Sequence, residues 1–332
     1  MSTLELTGLK SHNPLGFLAA CGLLRVANVE MEAKLAWTLP GRSDGDLNDT
    51  DLTAHIYCRD VKGEETLGNR LVEIVAASAQ RYLACLDEHG LTEAEALLDD
   101  YRRKGRAVIR KAAPADNGAR STLALLCALG SDLTTHKKAS GKHKGRIVIT
   151  NSHLLMTSGQ QDLLKNKGRE PAMKLAKRSK RGDIPESVRK NIKEALFGPW
   201  RYEDDDHPLG WDPHMQRLHA LRNKAPTNDN KKRSVRAAVF LASQALPLFP
   251  CFTVNGQLAT LGFRREGRDD WFYWPIWSKP ISIDVLTSLF GQVHSSDLLQ
   301  RGVVAVYRCL RASTGGTKGD YRVFSYPERI AL

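Results

Sequence analysis

Apolar and polar residues alternate from Leu4 to Leu9, the period of a strand with one buried face, and at Asn13 the period changes. Asn13 stands where a helix N-cap belongs, and Pro14 occupies the first helical position, where its missing N–H costs nothing. Leu15, Leu18, Ala19, Leu23 and Val26 make one apolar stripe, while Phe17, Ala20, Cys21 and Leu24 fill the other faces. That spacing predicts a helix enclosed on all sides. Gly16 and Gly22 each cost about 1 kcal/mol in helix propensity and let a neighbouring backbone come close. The apolar run stops at Arg25, far short of the roughly 20 residues needed to span hydrocarbon, and Glu5 offsets Lys10 where a secretory signal carries net positive charge. The expectation is a cytoplasmic protein with no membrane partner.

Downstream, the 3.6-residue period predicts amphipathic helices from about Thr66 to Glu88 and from Thr92 to about Lys111, the second capped by Thr92 with Glu95. A third helix is predicted in "STLALLCALGSDL", and short strands in "AHIYC" and in "RIVIT" at 146–150. Pro171, Gly182 and Pro185 are expected to break 165–198 into short helical pieces, and Val235 to Ala245 reads as helix. The last third is strand-like. Asn255-Gly256 between two apolar runs is a hairpin signal, and "DDWFYWPIW", "RGVVAVYRCL" and "DYRVFSYPERI" supply further strands. The pattern gives an α+β fold, with a helical N-terminal half around a buried central helix and an antiparallel β-rich C-terminal part. It divides into a mainly helical region (1–132), an insertion (133–200) and an α+β region with the hairpin (201–332).

Charge sharpens the picture. The 332 residues carry 49 Lys plus Arg and 37 Asp plus Glu, a net +12. Residues 133–193 hold 16 of the bases and four of the acids, which leaves 33 of each elsewhere, so the whole excess sits in 61 residues. A cation-dense insertion on a balanced body suits a polyanion, because each phosphate neutralised releases condensed counterions. The candidate contacts are Lys137, Lys138, Lys142, Lys144, Arg146, Lys174, Lys177, Arg178, Lys180 and Arg181. A second basic group, Lys231, Lys232 and Arg233 with Arg236, precedes an apolar helix, where cations are unfavourable unless an anion is at hand. The bland alternative for the insertion is a solvated loop that only keeps the chain soluble. Six cysteines without a CxxC pair read as reduced core residues, with no zinc site or disulfide framework.

No P-loop, GxGxxG, GxSxG or HExxH occurs. The richest polar cluster is "YEDDDHPLGWDPHMQRLHALR", residues 202–222. Its carboxylates and imidazoles are ingredients of a metal-dependent nuclease, with Asp205, Asp206, His207 and Asp212 as the candidate set. The spacing argues otherwise, since His214 and His219 diverge on a helix and adjacent aspartates on a loop point apart. The preferred reading makes Asp212-Pro213 a helix start that turns Met215, Leu218 and Leu221 inward and presents Arg217 and Arg222 near one another, to phosphate or to a neighbouring acid. "WFYWPIW" at 271–277 could stack bases but reads as sheet packing.

Three blocks, "GLKSHNPLGFLAACGLLRV", "GWDPHMQRLHALR" and "LPLFPCFTVNGQLATLGFRREGRDDWFYWPIWSKP", cover 67 residues and together resemble CRISPR-associated proteins of type I-G (formerly I-U) systems. The resemblance implies a large-subunit-like or helicase-adaptor component of a Cascade-type complex, with crRNA, target DNA and other effector subunits as partners. Residue reading and resemblance lead to one expectation: a non-catalytic nucleic-acid-binding subunit with no cofactor and no bound metal, in which base pairing carries the specificity and the protein supplies the cationic track. A metal-dependent nuclease and a structural adaptor between subunits are the alternatives.

Overall fold

The computed structural model describes residues 2–38, 52–88, 97–112, 117–138, 144–156, 168–215, 233–293, 297–313 and 322–330. Strand β1 (Ser2–Lys10), helix α1 (Pro14–Ala27), β2 (Ala33–Thr38) and β3 (Thr53–Cys58) form the first unit. β3 lies between β1 and β2 and runs antiparallel to both, so that Ile56 faces Leu4 on one side and Leu35 on the other. Asn13 caps α1 as expected, its Oδ1 accepting from Leu15 N at 2.8 Å and Gly16 N at 3.2 Å. Every residue of α1 except Arg25 is buried. The β1–β3 register slips between Leu6 and Lys10, a bulge that contains Gly8. A Cβ on Gly8 would come within 2.6 Å of the Ala195 carbonyl, so the close approach there requires glycine.

Helix α2 (Glu64–Glu88) buries the stripe Leu67, Leu71, Ile74, Val75 and Ser78 at helical spacing. Helix α3 (Leu98–Ala112) packs on α4 (Asn117–Leu129), and the Tyr101 hydroxyl reaches the Leu126 and Gly130 carbonyls at 2.8 and 2.9 Å. The predicted Thr92 cap lies outside the described residues. The "RIVIT" strand is shorter than its composition suggests: only β4 (Lys137–Lys138) and β5 (Ile147–Val148) pair. The ladder stops because Thr150 N donates to His136 Nδ1 instead of to a strand carbonyl. Pro171 does not break its segment. It sits in the first turn of α5 (Arg169–Leu175), where an intrahelical N–H partner is lacking anyway. The break comes at Gly182, with φ of 89°, and at Pro185, which precedes α6 (Glu186–Phe197).

Helix α7 (Arg236–Ala245) crosses α1 at Gly22, where a Cβ would lie 1.8 Å from the Leu241 carbonyl oxygen. Strands β6 (Cys251–Val254) and β7 (Gln257–Thr260) form the predicted hairpin, with Asn255 and Gly256 at φ of 49° and 74° as a type I′ turn requires. Strands β8 (Phe263–Glu266) and β9 (Asp269–Trp277), helix α8 (Ile283–Phe290), and strands β10 (Val303–Ser313), β11 (Arg322–Phe324) and β12 (Glu328–Ile330) complete the chain. All pairings in this sheet are antiparallel, in the order β8-β9-β10, with β11 and β12 sharing the far edge of β10.

The two sheets meet around Phe17, whose ring lies 5.8 to 6.4 Å from those of Trp37, Trp274, Trp277 and Phe290. Trp274 Nε1 donates to Ser11 O and Trp277 Nε1 to Leu35 O, and Leu35 N to Ile281 O. The aromatic run at 271–277 is therefore core: Phe272, Trp274, Ile276 and Trp277 are buried, and the partly exposed Trp271 lies under the Arg308 guanidinium. The fold is α+β with the helical front, buried central helix and antiparallel β-rich C-terminal part that the sequence predicts, and its core cluster draws on residues from Leu6 to Phe324. Cys21, Cys58 and Cys309 are buried, whereas Cys127 is exposed, against the expectation of core thiols throughout. Among the described residues no helix is long and apolar enough to cross a membrane.

Candidate nucleic-acid interface

The acidic run at 203–206 is bound into the protein's own cations. Arg236, the first residue of α7, places Nε 2.5 Å from Asp206 Oδ2 and Nη1 2.9 Å from Asp204 Oδ1, while its backbone N–H donates to Asp204 Oδ2. The anion that a basic helix start requires is thus supplied from within the chain. Lys174 on α5 reaches Asp206 at 2.8 Å and Asp205 and Glu170 at 3.0 Å. Burial works against its charge, but hydrogen bonds to Asp206, Asp205 and Glu170 raise the ammonium above its ordinary pKa. The Lys174 hydrogen bond lowers Asp205, whereas burial raises Asp204 against the pull of Arg236. Lys174 is therefore occupied by three carboxylates rather than offered to phosphate.

Asp212 belongs to a separate arrangement. It accepts from Tyr202 Oη at 2.8 Å, His214 N at 2.9 Å and Asn13 Nδ2 at 3.2 Å, so it caps the turn at Pro213 as predicted and ties it to the α1 cap. Burial raises its carboxyl, opposed by these donors. His207 Nδ1 accepts from Leu209 N, and Met215 is buried. Among the described residues no three His, Cys, Asp or Glu side chains are grouped to hold a metal ion. The donors of the nuclease alternative are split: Asp205 and Asp206 belong to an ion-pair network, Asp212 to a helix cap, and His207 accepts from the Leu209 amide.

The expected cationic residues divide into three sets. Lys142, Arg217, Arg222, Lys231 and Lys232 lie outside the described residues, and Lys137 is placed by its backbone in β4. Arg178 turns back on the protein, donating to the Ala176 and Lys177 carbonyls and to Gln80 Oε1, and Arg233 donates to Glu203 O at 2.8 Å. Lys138, Lys144, Arg146, Lys177, Lys180 and Arg181 are exposed. Ser179 shapes the loop that presents the last two, its Oγ accepting from the Arg181 and Asp183 backbone N–H groups.

Helix α3 adds a set that the charge count hides. It carries Arg102, Arg103, Lys104, Arg106, Arg110 and Lys111 against Asp99 and Asp100. Arg102, Arg106 and Arg110 recur every four residues and, with Arg103 and the single acid Asp99, line a groove of about 490 Å³. Arg106 and Arg110 make no ion pair among the described residues. Arg102 is fixed to Asp132 at 3.2 Å, and Arg146 reaches Asp100 at 3.5 Å, which brings the β4–β5 edge with Lys144 and Arg146 alongside α3. An isolated bridge, Leu97 to Val148, joins the residue before α3 to β5. The signal was available in the i, i+4, i+8 spacing of the arginines, but acids elsewhere in residues 1–132 cancel them in a regional sum.

No protein-family model and no curated protein matches the chain.

Proposed function

We propose that the protein is a non-catalytic nucleic-acid-binding subunit of a crRNA-guided CRISPR interference complex, contacting crRNA or target DNA through an exposed cationic face. The single observation that carries the reading is the arginine groove of α3 beside Lys144 and Arg146 at the β4–β5 edge. Arg106 and Arg110, which make no ion pair among the described residues, stand one turn apart on a helix beside the paired Arg102 and Arg103, a spacing that suits the regular repeat of phosphates, and releasing their counterions on binding supplies salt-dependent affinity. The resemblance of the three sequence blocks supplies the CRISPR context. Those blocks meet around the start of α1, where Asn13 bonds Asp212 and Trp274 bonds Ser11.

Co-expression with the proteins encoded beside it, followed by purification through a tag on this chain, tests the reading. The expected result is co-purifying effector subunits with a crRNA of uniform length. Recovery of the chain with its protein partners but without RNA, and no gain in affinity for target DNA, would favour the structural adaptor instead.

A further inference from the structure

A cavity of about 540 Å³ opens where β1, the turn after α6 and the turn at Pro213 converge, and none of the functional readings above uses it. Its size falls in the range of small-molecule sites. Phe197, Pro199, Pro213 and Pro327 give it an apolar floor, and Trp200, Tyr202 and Tyr326 give it aromatic walls. The ionisable groups at its lining, apart from the tyrosines, are Lys10, His12 and His214, with no carboxylate among the lining residues. Two walls are held firmly. Trp200 Nε1 donates to Ala195 O at 3.1 Å, and Tyr202 Oη donates to the buried Asp212 at 2.8 Å. The Tyr202 ring stands 6.3 Å from that of Trp200 and 5.7 Å from the His214 imidazole. Tyr326 is half exposed at the rim, and the Lys10 ammonium makes no ion pair among the described residues.

We propose that this cavity binds one mononucleotide unit, free or as an unpaired nucleotide of a strand, with the base against Trp200, Tyr202 and Tyr326 and the phosphate at Lys10 and the imidazoles. Flat apolar walls and a lining that holds the Lys10 ammonium but no carboxylate match a planar base that carries an anion. In its strand-bound form the inference rests on the nucleic-acid reading above; in its free form it stands alone. It also gives the first sequence block a role beyond packing, since Lys10, His12 and Asn13 line the cavity while the following helix is core.

The test titrates the full chain with AMP, GMP, CMP and UMP, following tryptophan fluorescence, and in parallel with a labelled five-nucleotide single strand. Saturable quenching that disappears in Trp200→Phe is expected, with affinity weakened about tenfold or more in Lys10→Gln/Tyr326→Ala, a pair of partly exposed positions whose unchanged unfolding midpoint verifies the fold. Binding by mononucleotides alone supports a free nucleotide, and tighter binding of the strand with the same sensitivity supports a strand nucleotide. No saturation by any of the four up to about 10 mM, or equal affinity in the double variant, overturns the proposal. Because the arginines of α3 are intact in these variants, that failure leaves the salt-dependent binding of long strands unaffected, so the two readings fail separately.

Discussion

Gly22 shows how a single hydrogen in place of a methyl sets a helix crossing. A Cβ there would overlap the Leu241 carbonyl, so Gly22→Ala must push α1 and α7 apart and is expected to cost about 3 kcal/mol, read as a lowered urea midpoint. Gly105 on α3 has no atom within 4 Å of its would-be Cβ, and Gly105→Ala is expected to gain up to about 1 kcal/mol in the same measurement. The sequence marked Gly22 as a point of close approach, because an enclosed helix has no other use for glycine. It did not reveal the partner. Arg236 likewise announced the need for an anion, yet its carboxylates lie about thirty positions earlier, a distance along the chain that only the fold closes. Asp206→Asn leaves Arg236 and Lys174 short of a fully buried counter-charge and is expected to cost about 3 to 5 kcal/mol by denaturant unfolding.

At the scale of elements, strong local signals were legible: the Asn13-Pro14 start of α1, the Asn255-Gly256 turn, the long strand β9. The shortness of β5 was not, because the side chain of His136, the residue before the strand that β5 pairs with, takes the Thr150 amide. The loop after β5 joins the C-terminal sheet through His153, whose Nδ1 lies 2.9 Å from Thr260 Oγ1 and whose ring lies 5.1 Å from that of Phe263. Burial pushes its imidazole down to about 4, with Asp270 opposing and Arg311 and Arg265 reinforcing the shift. A folded-state value below the unfolded one means that protonation favours unfolding. The neutral ring's contribution is fully present above about pH 6.5 and is lost as pH falls toward 4, a change of about 3 kcal/mol. His153→Gln is expected to flatten that part of the stability-against-pH curve, measured by thermal unfolding across the window; a curve unchanged by the substitution would remove His153 as its cause.

For the molecule as a whole, composition located a cationic excess but misjudged which cations are free. Lys174, Arg169 and Arg178 in the basic segment are engaged by Asp206, Asp87 and Gln80, while Arg106 and Arg110 on α3, hidden in a neutral average, face solvent. A sum over sequence cannot separate paired from unpaired charge, because pairing is a property of the fold. Exposed cations lie at the α3 groove and the β4–β5 edge, with Lys177, Lys180 and Arg181 as a second exposed set. The most direct test is a fluorescence-anisotropy titration of a labelled single strand over a series of salt concentrations, comparing the native chain with Arg106→Glu/Arg110→Glu/Lys144→Glu. Weaker binding and a slope of log affinity against log salt that is shallower by about 2 are predicted for three lost phosphate contacts, and an affinity and slope equal to those of the native chain would contradict the account.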